Sequence, residues 1–248
     1  MTEIVLSARG LAKSFGAVVA AEGVSVDVPA GQRLSLIGSN GAGKTTFVNM
    51  VTGYLKPDKG SIHLDGHDIT ALSPRRITRL GVSRSFQIPQ LAVNLTVLEN
   101  MLVAVAGGEG LSFWEPADGG GRRARAEEIL NRFGLVDQAG RLVSELPGGM
   151  RKLLDIAMAL TRSPRLLLLD EPTSGVSAEE KFGMMDTVMG ALAAEAVTVL
   201  FVEHDMDIVT RYADRVVAFY SGRIIADDPP DQVLDDPEVQ RYVTGQRL

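Results

Sequence analysis

Apolar and polar residues alternate along the first ninety positions in a way that predicts short strands. Residues 24–28 (Val-Ser-Val-Asp-Val) show the alternation most clearly, and Asp65-Gly66 after residues 61–64 (Ser-Ile-His-Leu) is a hairpin signal. A glycine-rich stretch separates one strand from a helix predicted at residues 45–51. The predicted strands are residues 4–9, 24–28, 34–37, 61–64 and 82–87.

The second half of the chain changes to helical spacing and continuous apolar runs. Leu153, Ile156 and Leu160 fall on one helix face, whereas residues 166–169 and 197–202 are almost wholly apolar, which is typical of buried parallel strands. Further helices are predicted at residues 95–105 and 122–133, separated by a glycine-rich loop at 107–121. This order predicts an α/β core with an antiparallel β subdomain and an inserted α-helical subdomain.

Composition narrows the class of protein. The 248 residues carry 25 Lys and Arg against 31 Asp and Glu, a formal net charge of -6, which argues against a general nucleic-acid surface. The absence of cysteine removes disulfides, thiolate metal sites and catalytic thiols, and favours a reducing compartment. No apolar run approaches the roughly 18 residues of a membrane span.

One stretch has the pattern of a phosphate-binding loop. Residues 38–45 fit G-x-x-x-x-G-K-[ST] and lie between a predicted strand and a predicted helix, as that motif requires. Backbone amides can surround a polyphosphate, Lys44 can reach its terminal phosphates and the Thr45 hydroxyl can ligate Mg²⁺. The predicted nucleotide-binding residues are Gly38, Ser39, Asn40, Gly41, Ala42, Gly43, Lys44, Thr45 and Thr46.

Two carboxylates follow a buried strand and indicate the chemistry. Asp170 and Glu171 come directly after residues 166–169, at the strand end where open α/β sheets bind ligands. Asp170 suits a metal ion, and Glu171 suits polarisation of an attacking water. Gly148 and Gly149 open the amphipathic helix and offer a second anion site, although a linker pair explains them equally well.

Taken together, these motifs resemble the nucleotide-binding subunit of an ABC transporter. The resemblance adds Gln87 as a Q-loop glutamine, residues 146–150 (Leu-Pro-Gly-Gly-Met) in the signature position and His204 after a strand. Within that superfamily, residues 85–91 and 95–100, with the terminal Asp-Pro-Glu-Val at 236–239 and Tyr242, are similar to the ATPases of branched-chain amino acid importers.

The resemblance implies a P-loop ATPase core that uses ATP and Mg²⁺. It assigns Phe15 to adenine stacking and His204, with Lys44, to the γ-phosphate. Gln87 would sense the metal and the attacking water, so the implied metal ligands are Thr45, Gln87 and Asp170. It also implies a head-to-tail dimer of like or paralogous ATPase chains, in which Gly148 and Gly149 contact the ATP held by the partner.

The expected function is ATP hydrolysis that powers import through membrane-spanning permease subunits, with a solute-binding protein as an indirect partner. The expected location is peripheral, on the cytoplasmic face of the inner or plasma membrane. As one ABC-type ATPase domain, the chain is expected to divide into residues 1–88 (β subdomain and P-loop part of the core), 89–155 (helical subdomain with the signature) and 156–248 (the rest of the core and the C-terminal helices). A lipid or glycolipid exporter ATPase, a soluble ABC-type clamp and a non-hydrolysing regulator remain as alternatives.

The sequence departs from the superfamily pattern at three positions. Pro147 and Met150 replace the serine and glutamine of the signature, and Ser177 stands where aspartate is usual. The 107–121 stretch contains Phe113 and the single tryptophan, Trp114, which either contact a partner or pack on the helical subdomain. Since one neutral hydrogen bond is worth only about 1 kcal/mol, we expect a working enzyme despite these losses.

Overall fold

The computed structural model describes residues 3–109, 121–193 and 195–245. The chain forms two compact units, one of Met1–Val82 with Val197–Leu248 and the other of Ser83–Ala196. The strands are β1 Ile4–Phe15, β2 Val18–Pro29, β3 Arg33–Gly38, β4 Lys59–Leu64, β5 His67–Asp68, β6 Val82–Ser85, β7 Leu166–Asp170, β8 Thr198–Val202, β9 Arg215–Tyr220 and β10 Arg223–Asp228. The helices are α1 Lys44–Val51, α2 Pro74–Arg79, α3 Val97–Glu109, α4 Arg122–Arg132, α5 Gly148–Leu160, α6 Lys181–Ala193, α7 Met206–Tyr212, α8 Pro230–Asp235 and α9 Pro237–Val239, the last continuing into a π-helical turn at Gln240–Thr244.

An antiparallel sheet in the first unit confirms the predicted β subdomain. Its strand order is β2-β1-β4-β5, and the short β4–β5 pair is the predicted hairpin. Strands β1 and β2 are twelve residues each, longer than predicted. Register shifts interrupt their pairing, for example between Ala8 and Leu11, and each shift reverses which face the side chains occupy. The alternation on which the sequence prediction depends is therefore broken within each strand.

A largely parallel set of strands forms the core of the same unit. Strand β3 lies between β8 and β9, parallel to both, and β10 pairs antiparallel with β9. Leu34, Leu36 and Ile37 of β3 are fully buried. The Phe47 ring of α1 packs against that of Phe219 in β9 with 5.8 Å between ring centroids, which fixes the helix that follows the glycine-rich loop.

The C-terminal helices complete this unit through a small apolar cluster. Val233 of α8 and Val239 of α9 are buried against Ile37 and Val216. The Asp236 carboxylate caps α9 by accepting hydrogen bonds from the amides of Glu238 and Val239. Tyr242 stacks on Tyr220 with 4.4 Å between ring centroids. Of the terminal residues noted in the sequence, Asp236 therefore has a capping function, and Val239 and Tyr242 have packing functions.

The second unit is mainly helical and includes strands β6 and β7. Helices α3, α4 and α5 pack on one another, and α6 packs on α5. Leu166, Leu167, Leu168 and Leu169 of β7 are buried, as their continuous apolar run predicts. At the start of α3, Thr96 and Glu99 form a reciprocal capping box: each backbone amide donates to the side chain of the other residue.

Two predicted boundaries in this unit are wrong. Helix α3 continues through Gly107 and Gly108 to Glu109, so the first residues of the predicted 107–121 loop are helical. Residues 110–120, which include Phe113 and Trp114, lie outside the described residues. Strand β6 ends at Ser85 and not at Gln87, since the carbonyls of Phe86 and Gln87 instead accept hydrogen bonds from a buried lysine. Within the part of the chain described, no helix has the length and apolar character needed to cross a bilayer.

Candidate functional site

The P-loop occupies the turn between β3 and α1, where only glycine fits at two positions. Gly38 has φ +149°, and a Cβ there would lie 2.4 Å from the Phe219 carbonyl oxygen. Gly43 has φ +111°, and a Cβ there would lie 2.5 Å from the Ala20 carbonyl oxygen. Both the backbone angle and the close approach of neighbouring strands therefore require glycine at these two positions of the motif.

Lys44 is folded into the loop that it follows. Its side chain is buried, and Nζ donates to the carbonyl oxygens of Gly38 at 2.6 Å and Ser39 at 3.1 Å. The ammonium group thus lies inside the loop, where its charge faces the space that the loop encloses. A polyphosphate bound there would meet a cation already in position.

Helix α1 begins directly after the loop, at Lys44. Gly43 occupies the capping position and offers no side-chain hydrogen bond to the helix. The next residue but one, Thr45, is exposed, as are Ser39, Asn40 and Gly41 of the loop. A helix N-terminus favours an anion, and the Thr45 hydroxyl belongs to an exposed residue.

Phe15 lies on the surface and not in the core. Its side chain is 50% exposed at the end of β1, before the Gly16 turn. Asp58 holds this strand end: its carboxylate accepts from Lys13 Nζ at 2.6 Å and from the Ser14 amide at 2.9 Å. The Lys13 hydrogen bond, followed by the Ser14 amide, keeps the pKa of Asp58 below its usual value. An exposed ring on an anchored strand end is suited to stacking on a base.

His204 follows β8 and is exposed at the mouth of a cavity. The cavity has a volume of about 350 Å³ and is lined by His204, Met206, Leu234, Val243 and Thr244. The amide of His204 donates to the carboxylate of the buried Glu203 at 3.1 Å. The histidine is therefore not a core residue, which is the interpretation that a lone histidine would otherwise receive.

In the other unit, Gln87 and Glu171 are in direct contact. Gln87 Nε2 donates to Glu171 Oε2 at 2.7 Å, although 84 positions separate the two residues. Glu171 has φ +48°, in the left-handed region, immediately after β7. A non-glycine residue there is costly and is typical of functional sites. The strained backbone and the amide together fix where the carboxylate lies.

Asp170 forms an ion pair that the sequence analysis missed. Its Oδ2 lies 2.6 Å from Arg84 Nη2, and the two side chains are only 16% and 10% exposed. The Arg84 guanidinium also lies 5.0 Å from the centroid of the Phe86 ring. Each of the two carboxylates at the end of β7 therefore has a specific partner.

Helix α5 supplies two buried charged residues that hold the backbone around Gln87. Lys152 is 2% exposed, and its Nζ donates to the carbonyl oxygens of Phe86 at 2.8 Å, Gln87 at 3.0 Å and Asp170 at 3.4 Å. Asp155 accepts from the Ser85 hydroxyl at 2.6 Å and the Gln90 amide at 3.1 Å. Burial raises the pKa of Asp155, against the opposing effect of the Ser85 hydrogen bond.

These residues were missed because their roles depend on contacts distant in sequence. Lys152 is 66 positions from Phe86, and Asp170 is 86 positions from Arg84. One signal was present: Lys152 and Asp155 share the apolar face of α5 with Ile156, where charged residues are unusual. A charge on an otherwise apolar helix face indicates a buried polar contact.

Gly148 and Gly149 begin α5, and the chain itself gives no reason for either glycine. A Cβ at either position would meet no atom within 4 Å, and neither has a left-handed φ. Pro147 at the capping position makes no side-chain hydrogen bond to the helix. The first turn of α5 is thus left open toward solvent, with room for a close approach by a ligand.

Ser177 has a local structural role in place of the expected aspartate. Its hydroxyl donates to Glu180 Oε2 at 2.9 Å and accepts from the Glu180 amide at 3.3 Å. This reciprocal pair resembles a capping box and organises the turn that leads into α6. Nothing in the structure explains Met150.

The residues predicted to hold Mg²⁺ have suitable chemistry. Carboxylate, amide and hydroxyl oxygens from Asp170, Gln87 and Thr45 are the hard donors that Mg²⁺ prefers. The bond to Glu171 uses the Gln87 nitrogen and leaves its amide oxygen to a metal ion or water. Among the described residues, no three or more His, Cys, Asp or Glu side chains are grouped closely enough to hold an ion.

The fold and these motifs define a P-loop ATPase cassette, and comparison with known proteins identifies its family. A family model described as ABC transporter matches residues 21–174. The chain therefore belongs to the ABC transporter family, as an ATPase subunit.

Relatives in this family match over nearly the whole chain. The chain is 35% identical to the high-affinity branched-chain amino acid transport ATP-binding protein BraF of Pseudomonas aeruginosa, over 99% of this chain and 100% of that protein. It is 34% identical to the corresponding LivG protein of Escherichia coli K12, again over 99% and 100%.

Solved structures agree. The ADP conformation of MJ1267, an ATP-binding cassette of an ABC transporter, superposes with a TM-score of 0.87 at 33% identity, over 97% of this chain and 98% of that one. CbiO1 from Clostridium perfringens, part of the ABC transporter complex cbiONQ, gives a TM-score of 0.83 at 28% identity, over 96% and 94%. The predicted family and fold class are confirmed.

Proposed function

We propose that this chain hydrolyses ATP to power the import of branched-chain amino acids, or related small solutes, through membrane-spanning permease subunits. The relatives' names support that solute class, because BraF and LivG are both named as branched-chain amino acid transport proteins. Since solute choice belongs to other subunits of an importer, the assignment depends on this similarity and not on a pocket in the chain.

The observation that supports hydrolysis best is the contact between Gln87 and Glu171. A carboxylate fixed by an amide, on a strained residue after a buried strand, has the position and charge of a general base. In the proposed reaction Glu171 accepts a proton from the water that attacks the γ-phosphorus. The bond from that phosphorus to the β-phosphate oxygen breaks, and the products are ADP and inorganic phosphate. Gln87 orients that carboxylate and contributes its amide oxygen to the metal or the water.

Other predicted residues bind and stabilise charge. Lys44 and His204 would contact the terminal phosphate, and Phe15 would stack on adenine. Thr45, Asp170 and Gln87 would hold Mg²⁺, which supplies charge neutralisation of the phosphates when bound. Catalysis then depends on positioning and electrostatic stabilisation and not on covalent chemistry.

The open N-terminus of α5 supports a shared site between two ATPase chains. The space beside Gly148 and Gly149 has room for a phosphate group of an ATP molecule that is bound to a second chain. This fits a head-to-tail dimer of like or paralogous chains. Nucleotide binding would close the dimer and hydrolysis would reopen it, and the permease subunits would receive that motion. The complex would lie on the cytoplasmic face of the membrane and take solute from a solute-binding protein.

Uptake by cells tests the transport proposal. Deleting the gene from its source organism should reduce uptake of labelled leucine, isoleucine and valine, while uptake of a labelled sugar should not change. Restoring the wild-type gene or a Glu179→Gln variant, which alters an exposed carboxylate, should restore uptake, whereas Glu171→Gln should not. Normal uptake of all three amino acids after deletion would refute the proposed solute class.

A further inference from the structure

Arg84 makes the closest described contact with the Asp170 side chain. The ion pair joins Nη2 to Oδ2 at 2.6 Å, and both side chains are largely shielded from solvent. Because screening by water is weak at such exposures, the guanidinium charge acts strongly on this carboxylate. Asp170 is thus neutralised by a residue of its own chain before any ligand is present.

The rest of the β7 terminus is also engaged by polar donors. Lys152 Nζ lies 3.4 Å from the Asp170 carbonyl oxygen, so a second cation stands close to the same residue. The Glu171 carboxylate accepts the Gln87 amide. A divalent cation that approaches Asp170 without nucleotide would therefore meet the positive charges of Arg84 and Lys152. The neighbouring carboxylate, that of Glu171, already accepts a hydrogen bond from Gln87.

The protein also supplies few ligands of its own. In the described ranges, no cluster of three or more acidic or histidine side chains is present that could hold an ion. Mg²⁺ keeps several waters or phosphate oxygens when protein ligands are few. Phosphate oxygens would add both ligands and negative charge, which offset the repulsion from Arg84.

We propose that Arg84 is a positioning residue that keeps Asp170 closed to a bare divalent cation, so that the metal enters the site only together with nucleotide. The guanidinium engages Oδ2, so Oδ1 would be the oxygen offered to the metal that arrives with nucleotide. Premature metal binding would bring an uncompensated divalent charge next to Lys152 and Arg84. This inference depends on the proposed role of Asp170 as a metal ligand.

A purely structural ion pair makes a different prediction. If Arg84 only stabilises the fold, its removal lowers stability and leaves metal affinity without nucleotide unchanged. If Arg84 excludes the bare cation, its removal raises that affinity. Metal affinity in the absence of nucleotide therefore separates the two roles.

The test uses Mn²⁺ alone as the probe, with free Mn²⁺ followed by electron paramagnetic resonance on the purified full chain. Wild-type protein should bind Mn²⁺ weakly, and Arg84→Gln should bind it at least about tenfold more tightly, which corresponds to about 1.4 kcal/mol. Arg84→Lys, which keeps the charge, should stay close to wild type. Arg123→Gln, which removes an exposed arginine that pairs with Glu127 of its own helix, is the matched control and should not change the affinity.

The double variant Arg84→Gln/Asp170→Asn shows whether the change in Mn²⁺ affinity arises at Asp170. It also removes both charges of the ion pair, so it can be measured if Arg84→Gln alone folds poorly. It should lose the gain in Mn²⁺ affinity. Tight nucleotide-free Mn²⁺ binding by the wild type would overturn the proposal without any variant. Unchanged affinity in Arg84→Gln, or a gain that persists in the double variant, would do the same.

A second titration in the presence of a non-hydrolysable ATP analogue separates this inference from the proposed function. If Asp170 is a metal ligand, Asp170→Asn weakens nucleotide-dependent Mn²⁺ binding whatever Arg84 does. If Asp170→Asn has no effect there, the proposed metal site is wrong. If Asp170→Asn weakens binding but Arg84→Gln does not raise nucleotide-free affinity, only the role of Arg84 is wrong.

Discussion

At the scale of single residues, contacts with the surrounding backbone and side chains fix the conformations of several residues in the candidate site. Lys44 is buried against two carbonyl groups of its own loop, and Glu171 is held by Gln87 on a left-handed backbone. Phe15 and His204 are exposed where an apolar or structural role would bury them. These local facts support the proposed contacts with nucleotide.

The P-loop glycines give a stability prediction with an internal control. Gly43→Ala places a Cβ 2.5 Å from the Ala20 carbonyl oxygen, whereas Gly41→Ala, also at positive φ, meets no atom within 4 Å. We expect Gly43→Ala to lower the free energy of unfolding by more than about 1 kcal/mol, and by more than Gly41→Ala. Urea unfolding without nucleotide measures both, and equal losses would show that the close contact with Ala20 has no effect.

The adenine contact gives a second residue-level prediction. Phe15→Ala should weaken ATP binding by about 1–3 kcal/mol, the usual value of one stacked base. Asp58→Asn, which removes the ion pair to Lys13, should weaken it by several-fold through the position of Phe15. Competition titrations with ATP and with inorganic triphosphate measure this, with the exposed Asp137→Asn as control. Equal losses for both ligands would show that neither residue acts on the base.

At the scale of helices and strands, the sequence predicted those elements whose signals are local. Strand β3, the P-loop and α1 follow from an apolar run, glycine spacing and helical periodicity within twenty residues of each other. The register shifts in β1 and the extension of α3 to Glu109 depend on tertiary pairing, so the pattern alone could not show them. The same reason hid Arg84, Lys152 and Asp155, each of which bonds to at least one residue 65 to 86 positions away.

The capping box at the start of α3 predicts how acid affects this helix. The hydrogen bond from the Thr96 amide, followed by that from its hydroxyl, lowers the pKa of Glu99 from its ordinary value of 4.5. The unfolded state therefore binds this proton more readily. The contribution of Glu99 is present above pH 4.5 and is lost as the pH falls through the lowered pKa.

Glu99→Gln tests this directly, because glutamine keeps the capping geometry but not the charge. We expect the variant to be slightly less stable than wild type at neutral pH and equally stable in acid. Urea midpoints at several pH values give the comparison, with Glu127→Gln on the exposed face of α4 as control. A gap between Glu99→Gln and wild type that stays constant with pH would contradict the charge-dependent cap.

At the scale of the whole molecule, the account requires two ATPase chains to share each nucleotide. Helix α5 begins with Gly148 and Gly149, and its Lys152 holds the carbonyls of Phe86, Gln87 and Asp170. One helix therefore links the surface proposed to face a partner's ATP to the residues proposed for hydrolysis in its own chain. The loss of the signature serine to Pro147 leaves only backbone groups for that contact.

Association can be measured as solution mass on the Glu171→Gln variant, which should bind ATP and hydrolyse it slowly. With ATP the mass should rise from 26.5 kDa to twice that value, and without ATP it should stay at the lower one. Gly149→Trp, which fills the open first turn of α5, should prevent the shift. A monomer at saturating ATP would refute closure between identical chains and favour a paralogous partner.

The most direct test of the central claim is the rate of ATP hydrolysis by the purified chain and two matched variants. We expect Glu171→Gln to reduce the rate by about 10²-fold or more, the usual contribution of a positioned general base, with ATP affinity retained. Glu179→Gln, which also removes one negative charge but at an exposed position, should hydrolyse ATP at the wild-type rate. Wild-type hydrolysis by Glu171→Gln would contradict the account, because the residue that the strand end and Gln87 hold in position would then have no part in the reaction.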